Sequence, residues 1–317
     1  MKTKLAKPTN VHLITGLIIS IIQSLTRGYS DADIPEKVGK YLLVQVIKKE
    51  NLLKGYAVGI YQYKKEKVFI KTWNGDLKNF GYYALVNEFI TSKILYKKFQ
   101  SYNSKTVKGR IKIPEPIKYI STKDSLSLVY EYVDGDTLTT ALLKEKVEIL
   151  AYILKVLWDM SNAITENEKR QLFKRNKIFY IVSLLAFAIL TIVSNPKNCK
   201  VVLNGLLKCI KTFRLLNESN LCIAHRDLTP HNILVNNKGV YIVDWSRMAL
   251  TIPNYDITYM SLMPKLKPVA DLISQKTNFK PNKFLKNYIL IHSAHSFGAP
   301  EGYDNFYEKE LYRLYAR

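Results

Sequence analysis

Apolar and polar positions along this chain follow two different periods. Val58 to Tyr63 and Lys67 to Trp73 read as short strands, and Leu126 to Val133 reads as a buried strand running into the turn Asp134-Gly135-Asp136. Between them, Tyr82 to Phe99 carries Leu85, Phe89, Ile94 and Leu95 at helical spacing, and Ile113-Pro114-Glu115-Pro116 breaks the chain before Tyr119-Ile120. Further on, Ile233-Leu234-Val235 and Val240-Tyr241-Ile242-Val243 flank Asn236-Asn237-Lys238-Gly239, which predicts a β-hairpin.

Two apolar segments are longer. Residues 8–26 carry no formal charge, yet Val11, Ile14, Leu17, Ile18, Ile21, Ile22 and Leu25 share one helical face, with His12, Thr15, Gly16, Ser20, Gln23 and Ser24 opposite. This predicts an amphipathic helix over 11–25 packed on the domain, with an in-plane membrane helix as the alternative. No A-x-A-like cleavage site follows it. Ile178 to Val193 is apolar all round. Its length rises about 24 Å, short of a bilayer core of about 30 Å. The next apolar stretch, Val201 to Leu216, carries Lys208, Lys211 and Arg214 and makes a poor return span. The expectation is a buried helix of the larger lobe. A helix dipping into a membrane face is the alternative, supported by the preceding Lys169, Arg170, Lys174, Arg175 and Lys177.

Composition narrows the class. At 317 residues with 47% hydrophobic content, the chain can bury a large core and divide into two lobes. Cys199, Cys209 and Cys222 lack CxxC spacing, which points to a reducing, cytoplasmic setting without structural zinc. The net charge of +22 is spread over the chain: residues 1–134 contribute +12 and residues 135–317 contribute +10. Such a balance favours anionic partners, either phosphates or an anionic membrane surface, beside the plainer reading of a lysine-rich solvated surface. No zinc-finger or aromatic RNA-binding signature supports nucleic acid as a partner.

The hairpin also carries chemistry. Asp227 and Asn232 precede its first strand, and Asp244 ends its second, 12 residues after Asn232. Two carboxylates and a carboxamide are hard oxygen ligands of the kind Mg²⁺ takes when it carries phosphates. The spacing H-x-D-x-x-x-x-N followed by that aspartate resembles the catalytic core of the protein-kinase-like fold. The resemblance implies that Asp227 accepts or orients the proton of an attacking hydroxyl and that Asn232 and Asp244 hold metal. It also calls for an upstream nucleotide site, and the order fits. Gly55 and Gly59 could let backbone amides approach phosphates, Lys71 ends the strand-like Val68-Phe69-Ile70-Lys71, and Glu88 on the following helix could pair with it. In this fold the backbone of Glu131 and Val133 would hydrogen-bond adenine.

From about Leu52 to Tyr259 the pieces KGYAVGIYQY, VFIKTW, NEFITSKIL, IPEPIKYI, LVYEYVDGDTL, HRDLTPHNILV, IVDWS and PNYDITYM resemble the aminoglycoside phosphotransferase and choline kinase branch of that superfamily. Within this branch, His225 and Asp256 are implied to support the catalytic loop. The chain departs at Arg226, where the branch commonly has Gly. No APE follows DWS, and only 12 residues take Asp244 to Asp256, too few for a regulatory activation loop.

The resemblance implies an α+β, two-lobed protein-kinase-like fold. An N-terminal helical extension (1–45) would precede an antiparallel-sheet N-lobe (46–134) and a mostly helical C-lobe (135–317). It implies an ATP- and Mg²⁺-dependent phosphotransferase acting on a small-molecule hydroxyl. The basic run at 169–177 suggests an anionic or lipid-linked acceptor and peripheral contact with an anionic membrane. A C-terminal acidic group of Glu301, Asp304, Glu308 and Glu310 could instead line a cationic pocket or form a solvated helix face. The alternatives left open are a protein Ser/Thr kinase-like enzyme and a nucleotide-binding pseudoenzyme at a membrane surface.

Overall fold

A computed structural model describes residues 34–49, 56–75, 78–101, 111–213, 220–294 and 305–316, together with residues 5, 7–9, 11, 12, 15, 16 and 19. Gly55, most of the helix expected over 11–25, and Glu301 and Asp304 lie outside the described residues. In chain order the first strands are β1 (Lys37–Val38), β2 (Tyr41–Lys49), β3 (Tyr56–Tyr63) and β4 (Glu66–Asn74), followed by helix α1 (Phe80–Ser101). Next come β5 (Ile111–Lys112), β6 (Pro116–Ser121), β7 (Ser125–Glu131), β8 (Asp136–Thr137), and helices α2 (Leu143–Ala163), α3 (Glu166–Gln171), α4 (Lys177–Ser194) and α5 (Cys199–Phe213). The last part holds β9 (Cys222–Ala224), β10 (Ile233–Asn236), β11 (Gly239–Ile242), β12 (Ala249–Thr251), and helices α6 (Tyr255–Leu262), α7 (Lys267–Lys276), α8 (Lys283–Ser293) and α9 (Phe306–Tyr315).

These elements form two compact units. The first comprises residues 1–140, 165–173 and 230–248. The second comprises residues 141–164, 174–229 and 249–317. The α+β fold is the one expected, with one unit built mainly on antiparallel sheet and the other on helices, but the bounds differ: β1 and the start of β2 fall within the expected helical extension 1–45, and the first unit takes in 165–173 and 230–248 from the range expected for the C-lobe.

In the first unit the main sheet runs β1-β2-β3-β4-β7-β6, with every neighbouring pair antiparallel. Alternation along β4 decides what each face receives. Val68 and Ile70 join Val38, Tyr41, Tyr61 and Val129 on one side. Phe69 and Trp73, and with them Lys71 between, turn to the side where Leu85, Val86 and Phe89 of α1 pack with Leu126, Leu128 and Tyr130 of β7. A lysine in the middle of a strand is thereby aimed at a helix. The second sheet, β5-β11-β10-β8, contains the hairpin: Ile233 pairs with Ile242 and Val235 with Val240.

The entry of α1 is fixed by one side chain. Asn79 Oδ1 accepts from the Tyr82 backbone N–H at 3.1 Å and from Trp73 Nε1 at 2.9 Å, both at a buried position. The cap thus ties the helix start to the end of β4.

In the second unit, α4, α5, α8 and α9 bury a common cluster that includes Tyr180, Leu184, Val202, Phe284, Tyr288 and Leu311. The expectation that the 178–193 segment is buried needs correction. Only Tyr180, Ser183, Leu184, Ala188 and Thr191 of α4 are buried, while its opposite face is exposed. By length and composition it is also the one helix among the described residues apolar enough to cross a membrane.

Removing the Asn79 cap should cost about 2 kcal/mol, because Asn79→Ala loses a helix cap and leaves the buried Trp73 N–H without this acceptor. Urea unfolding of Asn79→Ala should show this loss, and the loss should shrink in a Trp73→Phe background, which lacks the donor. An equal loss in both backgrounds contradicts the link.

Candidate functional site

A buried ion-paired trio lies within the first unit. Lys71 Nζ donates to both carboxylate oxygens of Glu88 at 2.9 Å and to Asp244 Oδ1 at 2.7 Å. The Lys71 and Glu88 side chains are almost wholly buried, and that of Asp244 is 34% exposed. Burial opposes the charge on Lys71, but Asp244 and Glu88 outweigh it and hold the lysine well above its ordinary pKa. Burial pushes the Glu88 carboxyl up to about 7, against the pull of Lys71 and of the Trp245 backbone N–H.

The segment after β11 is held against α1. Asp244 sits in the left-handed region at φ 61°, a conformation that Asp and Asn tolerate better than most residues. Trp245 is buried, gives its indole N–H to the Ile242 carbonyl at 3.0 Å and packs edge-on against Phe99 of α1. Asn87 Nδ2 reaches the Met248 carbonyl at 3.3 Å. Ser246 Oγ donates to Asp244 Oδ1 at 2.8 Å. Sequence reasoning did not single out Ser246; its signal was its place two residues after Asp244. Asn232 ends the turn before β10, and its carbonyl accepts from the Val243 N–H at 2.9 Å, which brings it beside the residue preceding Asp244.

The other expected nucleotide positions are less distinctive. Gly59 lies inside β3, paired with Ile70, and a Cβ there would stand 2.8 Å from Leu43 Cδ1, so a larger residue would need the Leu43 and Ile34 side chains to shift. Glu131 ends β7, and its N–H goes to the Glu115 carbonyl at 2.9 Å. A base contact from Glu131 would therefore use its carbonyl. Val133 follows β7 in a segment without regular secondary structure.

The second unit holds the loop with Asp227. Asp256, at the start of α6, accepts from the His225 N–H at 2.9 Å and the Arg226 N–H at 2.6 Å. Burial raises the Asp256 pKa, opposed by His225 and those two N–H groups. Arg226 adopts φ 68°, where glycine would be unstrained, so the departure from Gly at this position has a conformational cost. Two contacts offset it: the Arg226 guanidinium stacks 4.8 Å from the Tyr255 ring and reaches the Tyr255 hydroxyl at 3.3 Å. Asp227 is half-buried, with the Tyr259 hydroxyl at 3.4 Å from Oδ1. Tyr259 was not flagged from sequence, although it falls three residues after Asp256 on the same short helix. An open hollow of about 750 Å³ lined by Tyr152, Trp158, Asn254 and Phe279 contains none of the expected site residues.

The C-terminal acids that the structure describes are engaged. Glu308 Oε1 accepts from Asn195 and Asn198 at 2.9 and 2.8 Å, and Glu310 pairs with Arg313.

The donors fit a magnesium ion in type: a partly exposed aspartate carboxylate and an asparagine carboxamide, both hard oxygen ligands. Among the described residues no group of three or more His, Cys, Asp or Glu is placed to hold a metal.

A model of a phosphotransferase enzyme family matches residues 105–271. No curated protein sequence matches the chain. Solved structures match throughout its length at low identity. Aminoglycoside phosphotransferase APH(4)-Ia is 12% identical over 96% of this chain and 98% of that one, with a TM-score of 0.58. A thermostable mutant of it, in ternary complex with AMP-PNP and hygromycin B, gives 14%, 88%, 91% and 0.57. Spectinomycin phosphotransferase APH(9)-Ia, in complex with ADP and spectinomycin, gives 13%, 94%, 93% and 0.54. The fold is that of these kinase-like phosphotransferases.

Glu88 gives the trio a pH signature. Its pKa is raised from 4.5 to about 7, so the folded chain holds this proton more tightly than the unfolded one. Its contribution to stability is full below the unfolded value and is lost as the pH rises through about 7. Glu88→Gln lacks the titration. The stability of the wild type relative to this variant should therefore fall by on the order of 3 kcal/mol from about pH 4 to pH 8. Denaturant unfolding across that range tests it, and a constant difference contradicts it.

Proposed function

Because the chain belongs to the phosphotransferase enzyme family, whose model covers residues 105–271, we propose that it transfers the γ-phosphate of ATP to a hydroxyl of a small molecule. The observation that carries this reading is the Lys71–Glu88–Asp244 trio. A fully buried lysine held in one direction by a buried glutamate is what placing the α/β-phosphates requires. One lysine against two carboxylates leaves the trio without net positive charge, so a cation is needed before phosphates are attracted. Asn232 and Asp244 would hold Mg²⁺, which when bound neutralises charge on the phosphates. The relatives of known structure carry AMP-PNP or ADP, and the same nucleotide class is proposed here, with the Glu131 carbonyl and the Val133 backbone reading the base.

Asp227 would orient the acceptor hydroxyl and take its proton. The twin N–H bonds to Asp256 fix the backbone just before it, and Tyr259 contacts its carboxylate. Catalysis would come mainly from placement and charge neutralisation. The segment after Asp244 supports a small-molecule acceptor over a protein one. A short turn at Trp245–Arg247 is followed at once by β12, paired with β9, and α6 begins at Tyr255. No length remains for a protein-kinase activation loop.

Aminoglycosides, choline, sugars and lipid head groups, screened with γ-labelled ATP, should yield at least one labelled product. Asp244→Ala should abolish its formation while unfolding stays cooperative. Asp227→Asn should lower kcat at least a hundredfold with ATP affinity nearly unchanged. Full transfer by either variant refutes the role given to that residue, and ATP binding without transfer to any acceptor would favour a pseudoenzyme.

A further inference from the structure

Helix α4 has two apolar faces with different fates. Tyr180, Leu184, Ala188 and Thr191 point into the core of the second unit. Ile178, Ile181, Val182, Leu185, Ile189 and Val193 follow one another at i, i+3, i+4, i+7, i+11 and i+15 and are 42–69% exposed. Helix α5 repeats the division. Val201, Val202 and Cys209 enter the same core, while Leu203, Leu207 and Ile210 are 50–64% exposed. Because both helices bury their inner faces in one cluster, both outer stripes face away from it. Exposed apolar stripes on two consecutive helices exceed the scattered single residues of an ordinary surface.

The charge carried by this stretch of the chain has one sign. Residues 169–217 contain ten Lys or Arg and no Asp or Glu. Lys197, Lys200, Lys208 and Lys211 are exposed at the turn and along α5. Glu308, which meets this turn from α9, is already bound by Asn195 and Asn198.

We propose that the α4–α5 hairpin docks on an anionic lipid bilayer. It lies in the plane of the surface, with the outer stripes entering the headgroup boundary and the lysines meeting lipid phosphates. The helix does not cross. Its 18 residues rise about 27 Å, at the lower limit for a bilayer core of about 30 Å, so length alone does not decide this. Its inner face, however, is bound to α8, through Ser183 with the Tyr288 hydroxyl at 3.0 Å and Thr191 with the Ile291 carbonyl at 3.3 Å. Charge separates lipid from a second copy of the chain as occupant. A two-fold contact through this face would set the same lysines against each other, with no carboxylate in the segment to pair them.

Flotation of the full-length chain with vesicles tests this independently of phosphoryl transfer. Binding is expected to phosphatidylcholine vesicles containing about 30% phosphatidylglycerol and not to phosphatidylcholine alone, and it should weaken as salt rises. Ile189→Gln with Leu207→Gln should reduce binding at least tenfold, and Lys200→Glu with Lys208→Glu and Lys211→Glu about a hundredfold. Each variant replaces exposed side chains, so circular dichroism and thermal unfolding should match the wild type. Absence of binding at low salt, or equal binding by the folded variants, overturns the proposal. So does a concentration-dependent dimer broken by Ile189→Gln without vesicle binding.

Discussion

The ammonium of Lys71, buried between the carboxylates of Glu88 and Asp244, is the interaction on which the candidate site depends. An isolated lysine in that position would be too costly to bury charged, and removing one partner of a buried pair typically costs 3–5 kcal/mol. The trio therefore constrains its surroundings. β4 must present its odd residues to α1, α1 must begin where Asn79 caps it so that Glu88 arrives opposite, and the backbone at Asp244 must enter the left-handed region. Trp245, packed on Phe99 and hydrogen-bonded to Ile242, anchors that last bend.

The loop of the second unit solves a similar problem with neutral groups. Asp256 gathers two consecutive backbone N–H groups from a stretch where Arg226 takes a conformation better suited to glycine. Its buried carboxylate and the Tyr255 ring compensate for that strain. Arg226, where glycine would be unstrained, is thus accommodated locally.

Much of this was legible in the sequence, from short periods and from the resemblance. The pairing of Lys71 with Glu88 came from the resemblance, since alternation by itself left a surface lysine equally open, and the hairpin pattern placed Asn232 before its first strand and Asp244 after its second. What could not be read rests on contacts between distant segments. Nothing in the sequence tied Lys71 to Asp244 across 173 positions, Asn79 to the Trp73 indole, or Tyr259 to Asp227. At 178–193 the apolar pattern runs all round the helix, yet only one face is buried. Hydropathy alone cannot tell a face covered by protein from one left open, and α4 has one of each. The close approach of the Leu43 side chain from β2 to Gly59 was likewise not visible in the strand pattern.

In the function proposed, the trio and Asn232 form a magnesium-dependent nucleotide site. Calorimetric titration with ATP across a range of Mg²⁺ concentrations, on the wild type and on Asn232→Ala, addresses it most directly. The account predicts that wild-type affinity rises steeply with Mg²⁺ and that the variant loses most of that rise while keeping its fold. Wild-type affinity independent of Mg²⁺, or a variant with the full Mg²⁺ dependence, would contradict it.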